Sequence, residues 1–365
     1  MKREAARDRD LILENVVCDF CGADDATLVF RAKDTNYHFE GEFSVVRCRV
    51  CDLTYLNPRP DVQTLGAYYP ADEYACYVPT EDPKGLSSNH PFSRAVRSLD
   101  IGTGSVCDIG CGIGTFLVAA QNSGWAVTGI EPNDKARRLC HDRLGTEVVF
   151  PSLEAASFGP ASFDVVTLWH VLEHLPSPRQ TLQEIHRLLK DEGILVLAVP
   201  NFDSLERHIW GPNWVAVMAP THLYHFTEST LGRHVRSCGY EIQALHQGPG
   251  SVSLAANLLR TLRRFLLDPL AGRKPAGCSE IPAGATGEGP RRHASYWEVQ
   301  PPTKAKVVRA VRTSVKPLAW MIAELRLGPA LILSARKVGM PSPGGSVGSA
   351  NTTGLREGWG DRKRE

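Results

Sequence analysis

Val106-Cys-Asp108-Ile-Gly110-Cys-Gly112-Ile-Gly114 is the stretch that decides the fold. An apolar run, Ser105 to Ile109, meets three glycines spaced by single residues, and a helical pattern follows. Glycines at such a junction let the backbone turn tightly and approach a ligand at a helix N-terminus. The spacing is not the GxGxxG of nicotinamide enzymes, and no lysine follows as a phosphate-binding P-loop requires. Asp108 would repel a pyrophosphate but suits the ammonium of an amino-acid-bearing ligand.

Outward from this loop, short apolar runs alternate with helical patterns: Ala126 to Ile130, Glu147 to Phe150, Asp164 to Leu168 and Ile194 to Val199. That rhythm predicts an α/β doubly wound, Rossmann-like parallel sheet covered by helices. Thr181 to Leu189 places Leu182, Ile185, Leu188 and Leu189 on one face and reads as a crossover helix stopped at Lys190-Asp-Glu-Gly193. A helix from Thr227 to Cys238 leads into a strand near Tyr240 to Leu245. Glu131, at the end of the second strand, suits a ribose, since a carboxylate there accepts two hydroxyls.

The N-terminal segment carries Cys18-Asp-Phe-Cys21 and Cys48-Arg-Val-Cys51. Two residues between thiols let each pair form one knuckle, and four thiolates favour a tetrahedral, structural Zn2+ with no open position. Cys18, Cys21, Cys48 and Cys51 are therefore the expected metal ligands of a zinc-ribbon-like unit over 1–60, closed by Asn57-Pro-Arg-Pro60. The expected organisation continues with a helical linker over 61–104, the core over 105–248 and a helical, partly disordered insertion over 249–327. A final core strand over 328–340 and a flexible tail over 341–365 complete it. Cys107, Cys111, Cys76, Cys140, Cys238 and Cys278 carry no partner spacing and are assigned no chemistry.

The 365 residues hold 41 Lys and Arg against 40 Asp and Glu, so no global positive field draws the chain to nucleic acid or anionic lipid. At 42% hydrophobic and 22% charged residues, a disordered or fibrous chain is excluded. The charged start, MKREAARDRD, lacks the apolar stretch of a secretory signal, and a cytoplasmic location is expected. Leu254, Leu258, Leu262 and Phe265 share one helical face within 254–270, with Arg260, Arg263 and Arg264 mostly elsewhere. This segment packs on its own domain or a second subunit, or alternatively makes a peripheral membrane contact.

The glycine loop, Gly129-Ile-Glu131-Pro, Phe163-Asp-Val-Val166 and His170-Val-Leu-Glu173-His174-Leu together resemble the class I S-adenosylmethionine-dependent methyltransferases. The resemblance covers about Ser105 to Leu245. It implies S-adenosyl-L-methionine as cofactor, with Asp108, Gly110, Gly112 and Gly114 along its methionine side and Glu131 on its ribose. Ser152 and Leu153 fall near adenine, and His170 lies against the cofactor or faces the acceptor. The zinc unit followed by Tyr-Tyr-Pro is similar to bacterial methyltransferases of glycan and small-molecule biosynthesis. In that subgroup the segment after the fifth strand roofs the acceptor site, which makes Trp210, Trp214 and Pro220-Thr-His222-Leu-Tyr-His225 acceptor-pocket candidates.

The resemblance implies direct in-line transfer to a small-molecule acceptor, with a hydroxyl of a nucleotide sugar, a lipid-linked glycan or another biosynthetic intermediate expected. Histidine, with an unperturbed pKa near about 6.5, suits removal of the hydroxyl proton. His222 ranks first as base, followed by His225 and His174; the last sits in a Glu-His pair associated with metal dependence in quinone-type O-methyltransferases. Two rivals remain open: an RNA base methyltransferase that grips nucleic acid with its zinc unit, and a non-catalytic scaffold of the same fold. Oligomeric state is not legible.

Overall fold

The computed structural model describes residues 12–34, 41–69, 102–144, 148–248, 251–262 and 302–339. The N-terminal part contains β1 (Leu13–Glu14), β2 (Ala26–Ala32), β3 (Phe43–Cys48), β4 (Thr54–Leu56), β5 (Arg59–Pro60) and the short α1 (Val62–Leu65). Then follow β6 (Ser105–Ile109), α2 (Thr115–Asn122), β7 (Ala126–Ile130), α3 (Asp134–Leu144), β8 (Val149–Phe150), α4 (Leu153–Ala156) and β9 (Phe163–Trp169). The second half holds α5 (Pro178–Leu188), β10 (Leu189–Pro200), α6 (Leu205–Trp210), β11 (Tyr224–His225), α7 (Glu228–Ser237) and β12 (Tyr240–Gly248). The last elements are α8 (Ser251–Leu262), α9 (Pro302–Glu324) and β13 (Ala330–Lys337).

Seven strands form the main sheet in the order β12-β13-β10-β9-β6-β7-β8. Strands β10, β9, β6, β7 and β8 pair in parallel, whereas β13 inserts antiparallel between β10 and β12. Parallel strands need both faces covered, and Val165, Val166, Leu168, Leu195 and Leu197 are fully buried as that demands. Helix α5 starts with Pro178 in its first turn and buries Leu182, Ile185 and Leu188. The order reverses at β6, between β7 and β9, and ligands of open α/β sheets bind beyond the carboxyl ends of strands at such a point.

One expectation changes. Lys190 to Gly193 does not stop α5; β10 begins at Leu189, and a register irregularity between Leu189 and Ile194 absorbs the polar residues. Of the basic segment over 254–270, the described helix ends at Leu262, and residues 263–270 lie outside the described residues. Its Leu254 packs with Ala319 and Ile322 of α9, and Leu205 and Trp210 join the same apolar cluster. The bulk of the linker over 61–104, from 70 to 101, the loop over 263–301 and the tail after 339 also lie outside the described residues.

The N-terminal unit is stitched into the core rather than set beside it. Its sheet runs β11-β4-β3-β2, and β11 comes from the chain after β10. Tyr224 pairs with Tyr55 and His225 with Thr54, while Leu56 N–H donates to the Leu223 carbonyl. Arg59, buried, donates to Glu14 at 2.9 Å, to the Pro176 carbonyl at 2.9 Å and to the Tyr224 hydroxyl at 3.0 Å. In the first knuckle, Asp19 accepts from the Arg179 N–H at 3.0 Å and lies 3.2 Å from Nε2 of buried His234.

Candidate active site

Gly110, Gly112 and Gly114 have φ of +71°, +55° and +76°, a region that favours glycine. Space adds a second constraint, since a Cβ on Gly110 would lie 2.4 Å from Val171 and one on Gly114 would lie 2.4 Å from the Cys140 sulfur. Gly114→Ala is expected to destabilise the protein by about 2–4 kcal/mol, combining the left-handed backbone with overpacking. Urea denaturation followed by circular dichroism measures it.

Asp108 is 2% exposed, and its carboxylate accepts a 2.6 Å hydrogen bond from the Thr167 hydroxyl. Burial pushes the carboxyl up to about 8, against the pull of Thr167, with the charge of Glu131 adding to the rise. A cation arriving beside it would reverse that shift. Glu131 accepts from the Gly112 N–H at 2.9 Å through one oxygen and from the Asn133 N–H at 2.8 Å through the other. Its carboxylate thus braces the glycine loop against the end of β7. Ser152 caps α4 by accepting from the Ala155 N–H, which places Ser152 and Leu153 just past β8, next to the end of β7.

Beyond β9 the backbone bends at His170, φ +57°, into a 3-10 turn over Leu172–His174. Glu173 is fully buried, and neither carboxylate oxygen has a hydrogen-bond partner. His170 Nδ1 lies 3.4 Å from it, with the His170 side chain 43% exposed. Glu173, His174 and His222 offer ligand atoms that all lie within 4.8 Å of one another. Sequence reasoning noted the Glu-His pair but did not foresee that His222, 48 residues downstream by number, would close the cluster. Tyr69 was missed altogether: its hydroxyl lies 2.9 Å from His174 Nδ1, and nothing in a Tyr-Tyr-Pro run signals that contact.

The carbonyl partners fix the imidazole tautomers, because a carbonyl only accepts. His222 Nδ1–H donates to the Ala216 carbonyl at 2.9 Å and His174 Nδ1–H to the Thr221 carbonyl at 2.8 Å. Each Nε2 is left with its lone pair, and the two rings meet edge to face with centroids 4.5 Å apart. Burial lowers the pKa of both, and for His222 the neighbouring His174 and His225 lower it further. His225 is pushed down to about 3 by burial and by the Arg207 charge. All three rings are neutral at pH 7. Their folded values lie below the unfolded value of about 6.5, so the unfolded chain takes up protons first as the pH falls. The melting temperature should drop as the pH is lowered from 7 to 5, a trend read by differential scanning calorimetry.

The aromatic pocket candidates differ in burial and partners. Trp214 is 1% exposed, and Trp210 donates through Nε1 to the Thr261 hydroxyl, tying α6 to α8. Tyr224 is held by Arg59 and donates to the Pro176 carbonyl at 3.1 Å.

The cysteine sulfurs of Cys18, Cys21, Cys48 and Cys51 all lie within 4.8 Å of one another, with Cys18–Cys51 at 3.4 Å and Cys21–Cys48 at 3.5 Å. Tetrahedral zinc with bonds of about 2.3 Å spaces its sulfurs by about 3.8 Å, so the donor set fits that ion. Gly22 at φ +73° and Asp52 at φ +63° directly follow the second cysteine of each pair, giving the two knuckles the same turn. Among the described residues no helix is long and apolar enough to cross a membrane.

The strand order and the acid-flanked glycine loop define a nucleoside-cofactor domain of the methyltransferase type. Residues 79–245 match the family model described as "Methyltransferase domain", which supports a class I S-adenosylmethionine-dependent methyltransferase. The Ubiquinone biosynthesis O-methyltransferase of Saccharophagus degradans is 29% identical over 186 residues, 46% of this chain and 75% of that protein. The same enzyme from Nitrosospira multiformis is 34% identical over 150 residues, 38% of this chain and 63% of that protein. The chain thus spans less than two thirds of the second relative, and the family model's match does not reach the N-terminal unit. A solved S-adenosylmethionine-dependent methyltransferase from Archaeoglobus fulgidus is similar at 20% identity with a TM-score of 0.41, covering 69% of this chain and 95% of that one.

Proposed function

We propose that the protein transfers the methyl group of S-adenosyl-L-methionine to a hydroxyl of a small-molecule acceptor, with His222 removing the acceptor's proton. The observation that carries this reading is the tautomer of His222: Nδ1–H is tied to the Ala216 carbonyl, so Nε2 holds a lone pair in a cluster beside the end of β9. Asp108 and the glycine loop receive the methionine end of the cofactor, Glu131 its ribose, and Ser152 and Leu153 its adenine. The cofactor supplies the electrophilic methyl carbon. The protein aligns the hydroxyl opposite the sulfur, keeps water out and takes the proton onto His222 Nε2.

The relatives act in ubiquinone biosynthesis by name, which supports O-methylation and extends the acceptor range from sugars and glycans to phenols. A second reading is favoured by the unpartnered carboxylate of Glu173: a divalent cation held by Glu173, His174 and His222 would lower the pKa of the acceptor hydroxyl, and His222 would then be a ligand rather than a base. The two cysteine knuckles would hold a structural Zn2+ in either case.

Calorimetric titration with S-adenosylmethionine and its demethylated product tests the cofactor site. Glu131→Ala should weaken both by about 10- to 100-fold, as expected for losing charge-assisted hydrogen bonds to the ribose. Unchanged affinity would remove Glu131 from the role. Flotation with anionic liposomes tests 254–270; since Leu254 is already buried against α9, the intact protein is expected to stay at the bottom of the gradient.

A further inference from the structure

Arg47, Thr54 and His225 stand opposite one another on β3, β4 and β11, in one cross-strand row of the four-stranded sheet. Directly paired residues project to the same face. Toward this face comes Arg207 of α6, whose guanidinium lies 4.4 Å from the ring centre of Phe202 and 5.9 Å from that of Phe30. The Phe202 ring in turn lies 5.0 Å from the His225 ring. Arg47 Nε, Arg207 Nε and His225 Nε2 are all buried, and none has a hydrogen-bond partner. His225 as a whole is 3% exposed.

Two guanidinium groups and an imidazole therefore gather with no ion pair to either arginine among the described residues. Asp203, whose charge acts on Arg207, is mostly exposed and lies 3.6 Å from His208. Burial and the charge of Arg47 both lower the pKa of Arg207, outweighing Asp203. Partly buried cations of like sign cost stability when left uncompensated, and such a cost is met by an anion that arrives with its own lone pairs. His225 lies three positions along the chain from His222, so a group held there stays close to the proposed base.

We propose that Arg47, Arg207 and His225 form an anion subsite that grips a diphosphate of the methyl acceptor. The inference rests on the small-molecule acceptor reading and narrows its substrate class to diphosphate esters. Forked guanidinium donors match phosphate oxygens two at a time, and aromatic backing holds their planes. The glycine loop would not compete for such a ligand, because the Glu131 carboxylate that braces it repels an anion.

The test is calorimetric titration of the full-length protein with inorganic pyrophosphate, uridine diphosphate, farnesyl diphosphate and uridine, alongside S-adenosylmethionine as a separate measurement. Pyrophosphate and both diphosphate esters should bind, and uridine should not. Tighter binding of uridine diphosphate marks a nucleotide-linked source and tighter binding of farnesyl diphosphate a lipid-linked one. Arg47→Met and Arg207→Met should each weaken diphosphate binding at least 10-fold, with S-adenosylmethionine affinity within 2-fold of wild type. Lysine at either position should recover part of the loss. Should a substitution prevent folding, the wild-type titration alone decides, together with a fall in affinity as salt is raised. Absence of diphosphate binding by protein that binds S-adenosylmethionine overturns the subsite and leaves the cofactor reading standing. So does diphosphate binding that neither arginine substitution alters. Loss of S-adenosylmethionine binding by wild type would count against the function and not against the subsite.

Discussion

Alanine at His222 is expected to lower methyl transfer by about 100- to 10,000-fold, the range that positioned general bases supply. Affinity for S-adenosylmethionine should hardly change, because Asp108, Glu131 and the glycine loop lie on other strand ends. The proton path explains the size of the effect. His222 Nδ1–H is committed to the Ala216 carbonyl, so only Nε2 can accept, and the ring enters the reaction as the correct tautomer. Burial lowers the pKa of the ring below its usual range. The acid limb of the turnover profile should therefore fall below about pH 6.5, the unperturbed value. Release of S-adenosylhomocysteine from an acceptor found among nucleotide sugars, glycolipids and phenols provides the assay. His222→Gln separates the two readings of the cluster. Turnover that survives this change, and is abolished by a chelator, would move His222 from base to metal ligand and sink the primary reading.

Removing the metal should have the second largest effect. Cys21→Ser or a strong chelator is expected to cost the N-terminal unit its fold, since binding energy at a four-thiolate site is folding energy on the order of 10 kcal/mol. Four sulfurs within 4.8 Å of one another make a single ion the link between the two knuckles. The damage should spread in one direction. Asp19 in the first knuckle holds the start of α5 and His234 of α7, and β4 pairs with β11, which follows His222. Amide hydrogen exchange should speed up across residues 221–226 and stay slow across 106–114. Atomic emission should find one zinc per wild-type chain. A wild-type protein with no bound zinc, yet with slow exchange in both segments, would refute the metal assignment.

Much of the cofactor half was legible because its chemistry is local. Positive φ at alternating glycines, an acid ending β6 and another ending β7 are properties of short segments, and the structure sets Glu131 against Gly112 as their order implied. The acceptor half was legible only as candidates. His222 was named for its residue type, yet its partner carbonyl at Ala216, the buried Glu173 and the Tyr69 hydroxyl come from three separate stretches of chain. No periodicity connects such stretches. Trp210 and Trp214 are candidates for the same reason: an aromatic residue in a lid and one in a core look alike in sequence, and the structure buries Trp214 while leaving Trp210 partly exposed. Lys190 to Gly193 read as a helix stop because it is polar, whereas a strand with an irregular register carries polar residues equally well.

The shared sheet of β2, β3, β4 and β11 has a consequence for how such an enzyme diversifies. Because His225 hangs on a strand borrowed by the N-terminal unit, that unit would, under the proposed function, border the acceptor as well as support the fold. Exchange of residues 12–60 between relatives would re-tailor what is methylated and leave the methyl donor untouched. A chain begun at residue 61 would lose more than a zinc ion, since it would present β11 as an unpaired edge and strip Tyr224 of Arg59. Under the proposed function, acceptor specificity would thus depend on residues on both sides of the boundary of the segment that matches the methyltransferase family model.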